Sequence, residues 1–189
     1  MDYIPGQLLW DAWPQLSLWR KIWVVVTLRR YVRELRKLRQ PYEGYVGEIS
    51  AHGDPLPCDL PDVLELHGKS LDSYDALKTY YNVWWISKGG DDDTCYGDSH
   101  SLVFTHGDIH KLNIILGDDG QLWLIDWGHS GFYPRWFEYQ RMFIMGSEKI
   151  YGDRLIQTQD HTWQLLAGVV GDYDPWILEW FRRFYTVRY

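Results

Sequence analysis

Two cysteines, Cys58 and Cys95, are all that the 189 residues contain, too few for a disulfide framework or a cysteine-rich metal centre. Long hydrophobic runs are missing too. The longest, Ile22 to Val26, falls far short of the roughly 20 residues a spanning helix needs, which excludes a helical membrane segment. The opening Met-Asp-Tyr-Ile-Pro-Gly carries neither a basic stretch nor a hydrophobic one with a cleavage site, so a reducing, cytoplasmic location is expected. Basic charge is in deficit. With 26 acidic against 19 basic residues the net charge is -7, the opposite of the basic face by which proteins hold nucleic acid. None of the 17 glycines lies two positions from another, and no Gly-Lys-Ser or Gly-Lys-Thr occurs, so a Walker-type phosphate loop is excluded. Aromatic residues, by contrast, are plentiful: 12 Trp, 14 Tyr and 6 Phe supply buried area for a core, and one domain over 1–189 is expected.

Periodicity divides the chain into helical ends and a strand-bearing middle. A helix is predicted from Pro14 to Arg39, ended by Pro41, with Leu28, Val32, Leu35 and Leu38 as its apolar stripe. Opposite that stripe Arg29, Arg30, Arg33, Arg36, Lys37 and Arg39 make a solvated basic face. Residues 41–70, rich in Gly and Pro, are expected to form a long surface loop. Asp72 is placed to cap a second helix through Tyr74, Leu77, Tyr81 and Trp84, and Gly89 to Asp93 breaks it. Strands are predicted at Leu102–Phe104, Asn113–Leu116 and Gln121–Asp126. Gly117-Asp118-Asp119-Gly120 joins the last two as a hairpin. Helical spacing returns after Pro134, at Trp136, Tyr139 and Met142, again at Trp163, Leu166, Ala167 and Val170, and finally after Asp174-Pro175.

The chemistry is concentrated in Phe104-Thr105-His106-Gly107-Asp108-Ile109-His110-Lys111-Leu112-Asn113 and Leu124-Ile125-Asp126-Trp127-Gly128. Asp108 and Asn113 are five apart, and Asp126 ends a hairpin strand thirteen further on. That spacing reproduces the catalytic loop and metal-binding triplet of kinases, where one Asp addresses the acceptor hydroxyl while an Asn and a second Asp hold magnesium. Phosphoryl transfer asks the protein for little covalent help. It requires neutralised phosphate oxygens and a hydroxyl held in line. Mg2+ takes hard oxygen ligands and keeps waters, so one amide oxygen and one carboxylate suffice beside a nucleotide.

His106 to Asn113 resembles the His-Gly-Asp-x-x-x-x-Asn loop of the aminoglycoside phosphotransferase family, kinase-like enzymes that phosphorylate small molecules. Ile125-Asp126-Trp127 resembles that family's Ile-Asp-Trp, and Gly131-Phe132-Tyr133-Pro134 through Glu138-Tyr139 is similar to the segment that follows in its fungal members. Met1 to Gly6 resembles the hinge after the N-terminal lobe, and Tyr31 to Arg39 the helix beyond it. The resemblance implies an α+β fold, the mainly helical C-terminal lobe of a protein kinase-like enzyme with a small β-hairpin carrying the metal ligands. On it residues 1–8 are a hinge remnant, 102–128 the catalytic loop and metal-binding hairpin, and the N-terminal lobe is absent. It further implies Asp108 as the catalytic, hydroxyl-orienting carboxylate, Asn113 and Asp126 as magnesium ligands, His106 as structural support, and Asp2, Tyr3 and Ile4 as the adenine-facing hinge. ATP and Mg2+ are the implied cofactors and a small-molecule hydroxyl the acceptor, with oligomeric state open. Gly128 departs from the pattern, which places an acid after the Trp.

Three other readings stand beside this one. His106, Asp108 and His110 alternate and are able to present a transition-metal site for hydrolysis, though that leaves Asn113 and Asp126 unexplained. A lone lobe with little or no transfer activity would be a pseudokinase-like binding module. A fragment of a full-length phosphotransferase gives the same residues. For the acceptor, Asp153, Asp160, Asp172, Asp174 and Glu179 read either as an acidic pocket for a cationic molecule or as surface acids and helix caps.

Overall fold

The computed structural model describes residues 3–56, 73–87, 101–147 and 161–171. Asp2, the Asp72 cap, the Gly89–Asp93 break and the helix after Asp174 lie outside them, as do the five acids considered for an acceptor pocket. The described residues form five α-helices and two three-stranded antiparallel sheets, a mixed content compatible with a kinase-like fold. No helix among them is long and apolar enough to cross a membrane.

The first sheet consists of β1 (Gly6–Leu8), β4 (Ile114–Gly117) and β5 (Leu122–Leu124), in the order β1-β4-β5. Strands β4 and β5 are the expected hairpin, β4 set one residue later than predicted because Lys111–Asn113 turns as a 3-10 helix before it begins, and β5 shorter than predicted. The hairpin turn closes through the Gly120 N–H on the Gly117 carbonyl, with Gly120 at φ +77, a conformation that suits glycine. Residues 6–8, expected within a hinge, form the edge strand: Gly6 lies opposite Gly117 and Leu8 opposite Ile115.

After β1 come the short helix α1 (Leu9–Ala12), a 3-10 turn over Trp13–Gln15, and α2 (Leu18–Leu35). The single helix predicted over 14–39 is therefore shorter at both ends. Pro14 sits in the 3-10 turn, and Ser17 restarts the chain as an N-cap whose hydroxyl accepts from the Arg20 N–H at 3.3 Å. Helix α2 ends at Leu35, leaving Leu38 exposed, so the buried stripe is Val24, Val25, Leu28 and Val32. Its basic face is not wholly solvated. Arg29 donates to the Val169 carbonyl at 2.8 Å and Arg36 to the Gly171 carbonyl at 2.8 Å, so both cap the C-terminal end of α5 (His161–Val170), where cations suit the helix dipole.

The second sheet lies in the order β2-β6-β3, from β2 (Gly47–Glu48), β3 (Leu102–Thr105) and β6 (Gly131–Pro134). Strand β6 is a new element, and β2 forms inside the segment expected to be loop. Their contact depends on Gly131, because a Cβ there would stand 1.9 Å from the Gly47 carbonyl oxygen. Ser73, at the start of α3 (Tyr74–Ser87), accepts from the Ala76 N–H at 3.2 Å. Helix α4 (Phe137–Ser147) packs on α5, and the core runs from Val24, Leu28 and Val32 of α2 through Met142 and Trp163 to Ile109 and Ile114. Burying Ile109 and Ile114 pins the loop between them to the core from beneath.

Candidate active site

Strand β3 delivers the chain into a sharp turn at His106-Gly107-Asp108. Gly107 adopts φ +80, and a Cβ on it would come within 2.5 Å of the His129 carbonyl oxygen, so glycine meets both a backbone and a packing demand. The buried Asp108 carboxylate is held by three donors. Asn113 Nδ2 reaches Oδ2 at 2.7 Å, His110 Nε2 reaches Oδ2 at 3.2 Å, and Arg141 Nη2 reaches Oδ1 at 3.4 Å. His110 Nδ1 accepts the Leu112 N–H, which fixes the tautomer that donates from Nε2. Burial alone would raise the Asp108 pKa. The hydrogen bond from His110, with the charges of Arg141 and His129, outweighs it and holds the group below its ordinary 3.8.

Asn113 gives its amide N–H groups to the Asp108 carbonyl and carboxylate, leaving its amide oxygen for another partner. Its own carbonyl accepts the Ile125 N–H at 3.0 Å, so the hairpin brings Asp126 beside it. Asp126 has φ +62, the left-handed region that non-glycine residues rarely enter, and its side chain is exposed. An amide oxygen and a carboxylate, carried by residues that the hairpin pairing makes backbone neighbours, are the hard donors Mg2+ takes, so the chemistry of the residues present fits that ion.

His106 is fully buried, accepts the Asp108 N–H on Nδ1 and packs its ring 4.4 Å from that of Trp127. Burial drives its pKa down to about 4. The trio His106, Asp108 and His110 is already engaged internally, and among the described residues no group of three His, Cys, Asp or Glu is arranged to hold a metal, so the geometry gives the hydrolase reading no support. Tyr3 is exposed and Ile4 half-buried. The Pro5 carbonyl accepts the Asp118 N–H at 3.1 Å, which sets this end of the chain at the hairpin turn. Asn113 lies four residues away along β4, roughly 13 Å by strand rise.

A model of the phosphotransferase enzyme family (APH) matches residues 50–176, two thirds of the chain. The chain belongs to that family. Family membership supports a kinase-like phosphotransferase domain in general, and the matched stretch includes Asp108, Asn113 and Asp126. No curated protein and no solved structure matches the chain.

Within the family stretch, sequence reasoning missed the groups that hold the loop from behind. Glu138 of α4 is buried and accepts the His106 N–H at 2.8 Å and the Gly107 N–H at 3.2 Å. Arg141, one turn on, donates from Nε to the Gly107 carbonyl at 2.8 Å as well as to Asp108. The available signal was a Glu and an Arg three apart in a helix otherwise dominated by aromatic and apolar residues. Glu48 of β2, buried, pairs with His129 Nδ1 at 2.9 Å.

Burial raises the Glu138 pKa to about 7 despite its two backbone donors. In the unfolded chain Glu138 titrates near 4.5, so its contribution is complete below that pH and is lost as pH climbs to about 7. His106 has the opposite sign. It charges near 6.5 when unfolded and only below about 4 when folded, so stability rises from pH 4 to 6.5. The slopes oppose each other over the shared window. Glu138→Gln is expected to uncover that of His106, a gain of roughly 3 kcal/mol in unfolding free energy across it by urea denaturation, where the parent is nearly flat. A variant profile as flat as the parent's would refute the two charge assignments.

Proposed function

We propose that the chain is an ATP-dependent phosphotransferase of the aminoglycoside phosphotransferase type that phosphorylates a hydroxyl of a small molecule. The observation that carries this reading is the bonding of Asn113: its amide N–H groups are spent on Asp108, its side-chain oxygen is not, and the hairpin pairing makes the Asp126 backbone its neighbour. Asp108, kept ionised by its three donors, accepts the hydrogen bond of the acceptor hydroxyl and aims its oxygen along the line of transfer. With its pKa below 3.8, it orients the hydroxyl more than it stores the proton. Asn113 and Asp126 would hold Mg2+, which would neutralise nucleotide phosphate oxygens. The face of the hairpin between Tyr3-Ile4 and Asp126 gives an extended nucleotide its length, with the adenine at the end marked by Tyr3 and Ile4. His106 supports the turn through Trp127.

Calorimetry with Mg-ATP, and electron paramagnetic resonance with Mn2+ in its place, test the reading. Asp126→Asn is the informative variant, because Asn tolerates the left-handed backbone and leaves the fold intact. A loss of at least roughly tenfold in affinity is expected with the carboxylate gone. Equal binding by parent and variant would remove Asp126 from the site.

A further inference from the structure

Asp108 stands between the two sheets. On one side is the hairpin with Asn113 and Asp126; on the other is the second sheet, whose strands β2 and β6 carry or adjoin Glu48 and His129. His129 is fixed there by contacts independent of its ring. Its carbonyl packs on Gly107, the residue before Asp108, and the next residue, Ser130, accepts the Ile49 N–H at 3.0 Å from beyond Glu48. The ring is then oriented by its Nδ1–H on Glu48 Oε1 at 2.9 Å. No hydrogen bond within the described residues engages its Nε2.

Four charged groups meet at this point: Glu48 from β2, His129 from the turn before β6, Asp108 from the loop and Arg141 from α4. Their side chains are 8%, 39%, 11% and 5% exposed respectively. The carboxylates are therefore buried and already bonded, and the member a ligand meets first is the imidazole. The hydrogen bond to Glu48 favours its charged form, burial opposes it, and the pKa rises above the ordinary 6.5, with Asp108 adding to the rise and Arg141 working against it. In that charged form Nε2 is a donor directed away from Glu48.

We propose that His129, oriented by Glu48, selects the acceptor: its Nε2–H binds an anionic oxygen group, carboxylate or phosphate, that the acceptor carries beside the hydroxyl offered to Asp108. The inference rests on the proposed phosphotransferase reading for where the acceptor lies. A cation held by a buried carboxylate, close enough to Asp108 for their charges to act on each other, favours an acceptor with a negative group over a cationic one. Glu48 acts through His129 and is a positioning residue.

The test uses the 189-residue chain labelled with 15N. Long-range imidazole spectra follow His129 Nε2 while sulfate, standing for a phosphate group, or acetate, standing for a carboxylate, is added at several pH values. A saturable shift by either anion, weakening as pH rises through the His129 pKa, is the expected result, and the more effective anion names the group. His129→Gln, which keeps a hydrogen-bonding side chain without the charge, is expected to weaken binding roughly tenfold. Glu48→Gln is expected to lower the His129 pKa and weaken the anion with it, a change that loss of packing alone would not produce. No shift with either anion in the parent chain, or undiminished binding by His129→Gln, overturns the proposal. Mn-ATP binding is measured on the same samples. A chain that binds the anion at His129 and no Mn-ATP refutes the nucleotide reading alone; the reverse pattern refutes this inference alone.

Discussion

Glu138→Leu is expected to destabilise the chain by about 2–6 kcal/mol, two buried backbone donors losing their acceptor at about 1–3 kcal/mol each. The substitution keeps most of the volume, so packing is a minor part of the loss. What disappears is the acceptor for two backbone N–H groups, those of His106 and Gly107, which have no water to turn to. Arg141 loses a neighbouring opposite charge, as does Arg36. Because a domain has only about 5–15 kcal/mol to lose, the variant should be marginal or unfolded in a urea titration. A Glu138→Leu loss below about 1 kcal/mol would mean that the loop is not held from α4 at all.

Asp108→Leu is expected to cost at least about 3 kcal/mol, unlike substitutions at exposed positions, which usually stay within about 0.5 kcal/mol. Three buried donors, from Asn113, His110 and Arg141, then lose the carboxylate they share, and a buried donor left without an acceptor costs about 1–3 kcal/mol. Asp108→Asn keeps one accepting oxygen and should lose less. The pH dependence carries the same sign as the pairing. With a folded pKa below 3.8, the carboxylate's contribution is present above that value and is lost as pH falls through the folded one, and the variants should lack that acid-side loss. Equal stability of parent and Asp108→Leu in urea would show that water satisfies the donors and that the loop is open.

Local chemistry explains why part of the site was legible in the sequence. Asp108, Asn113 and Asp126 lie within one loop and one hairpin, so turn residues and strand alternation alone carry Asn113 to the side of Asp126. Glu138 and Arg141 approach Asp108 from 30 and 33 residues further along, and Glu48 approaches His129 from 81 residues away. No local period encodes such meetings. Strand β6 was hidden for a related reason: Gly131 and Pro134 bracket it with residues that punctuate chains, and pairing with β3 and β2 overrides them. The first helix is shorter than its apolar stripe implies because the Ser17 hydroxyl starts α2 afresh and Leu38 lies beyond its end.

The way Glu138 grips the loop also decides what the loop is unable to do. Turns that follow a strand with successive N–H groups exposed often serve as cradles for anions. Here the His106 and Gly107 amides point at Glu138, the Asp108 amide at His106, the Leu112 amide at the His110 ring and the Asn113 amide at the His110 carbonyl. Those five amides are turned inward and offer nothing to an oxyanion. Negative charge arriving beside these five amides finds no donor among them and must be met by other groups of the loop or by side chains.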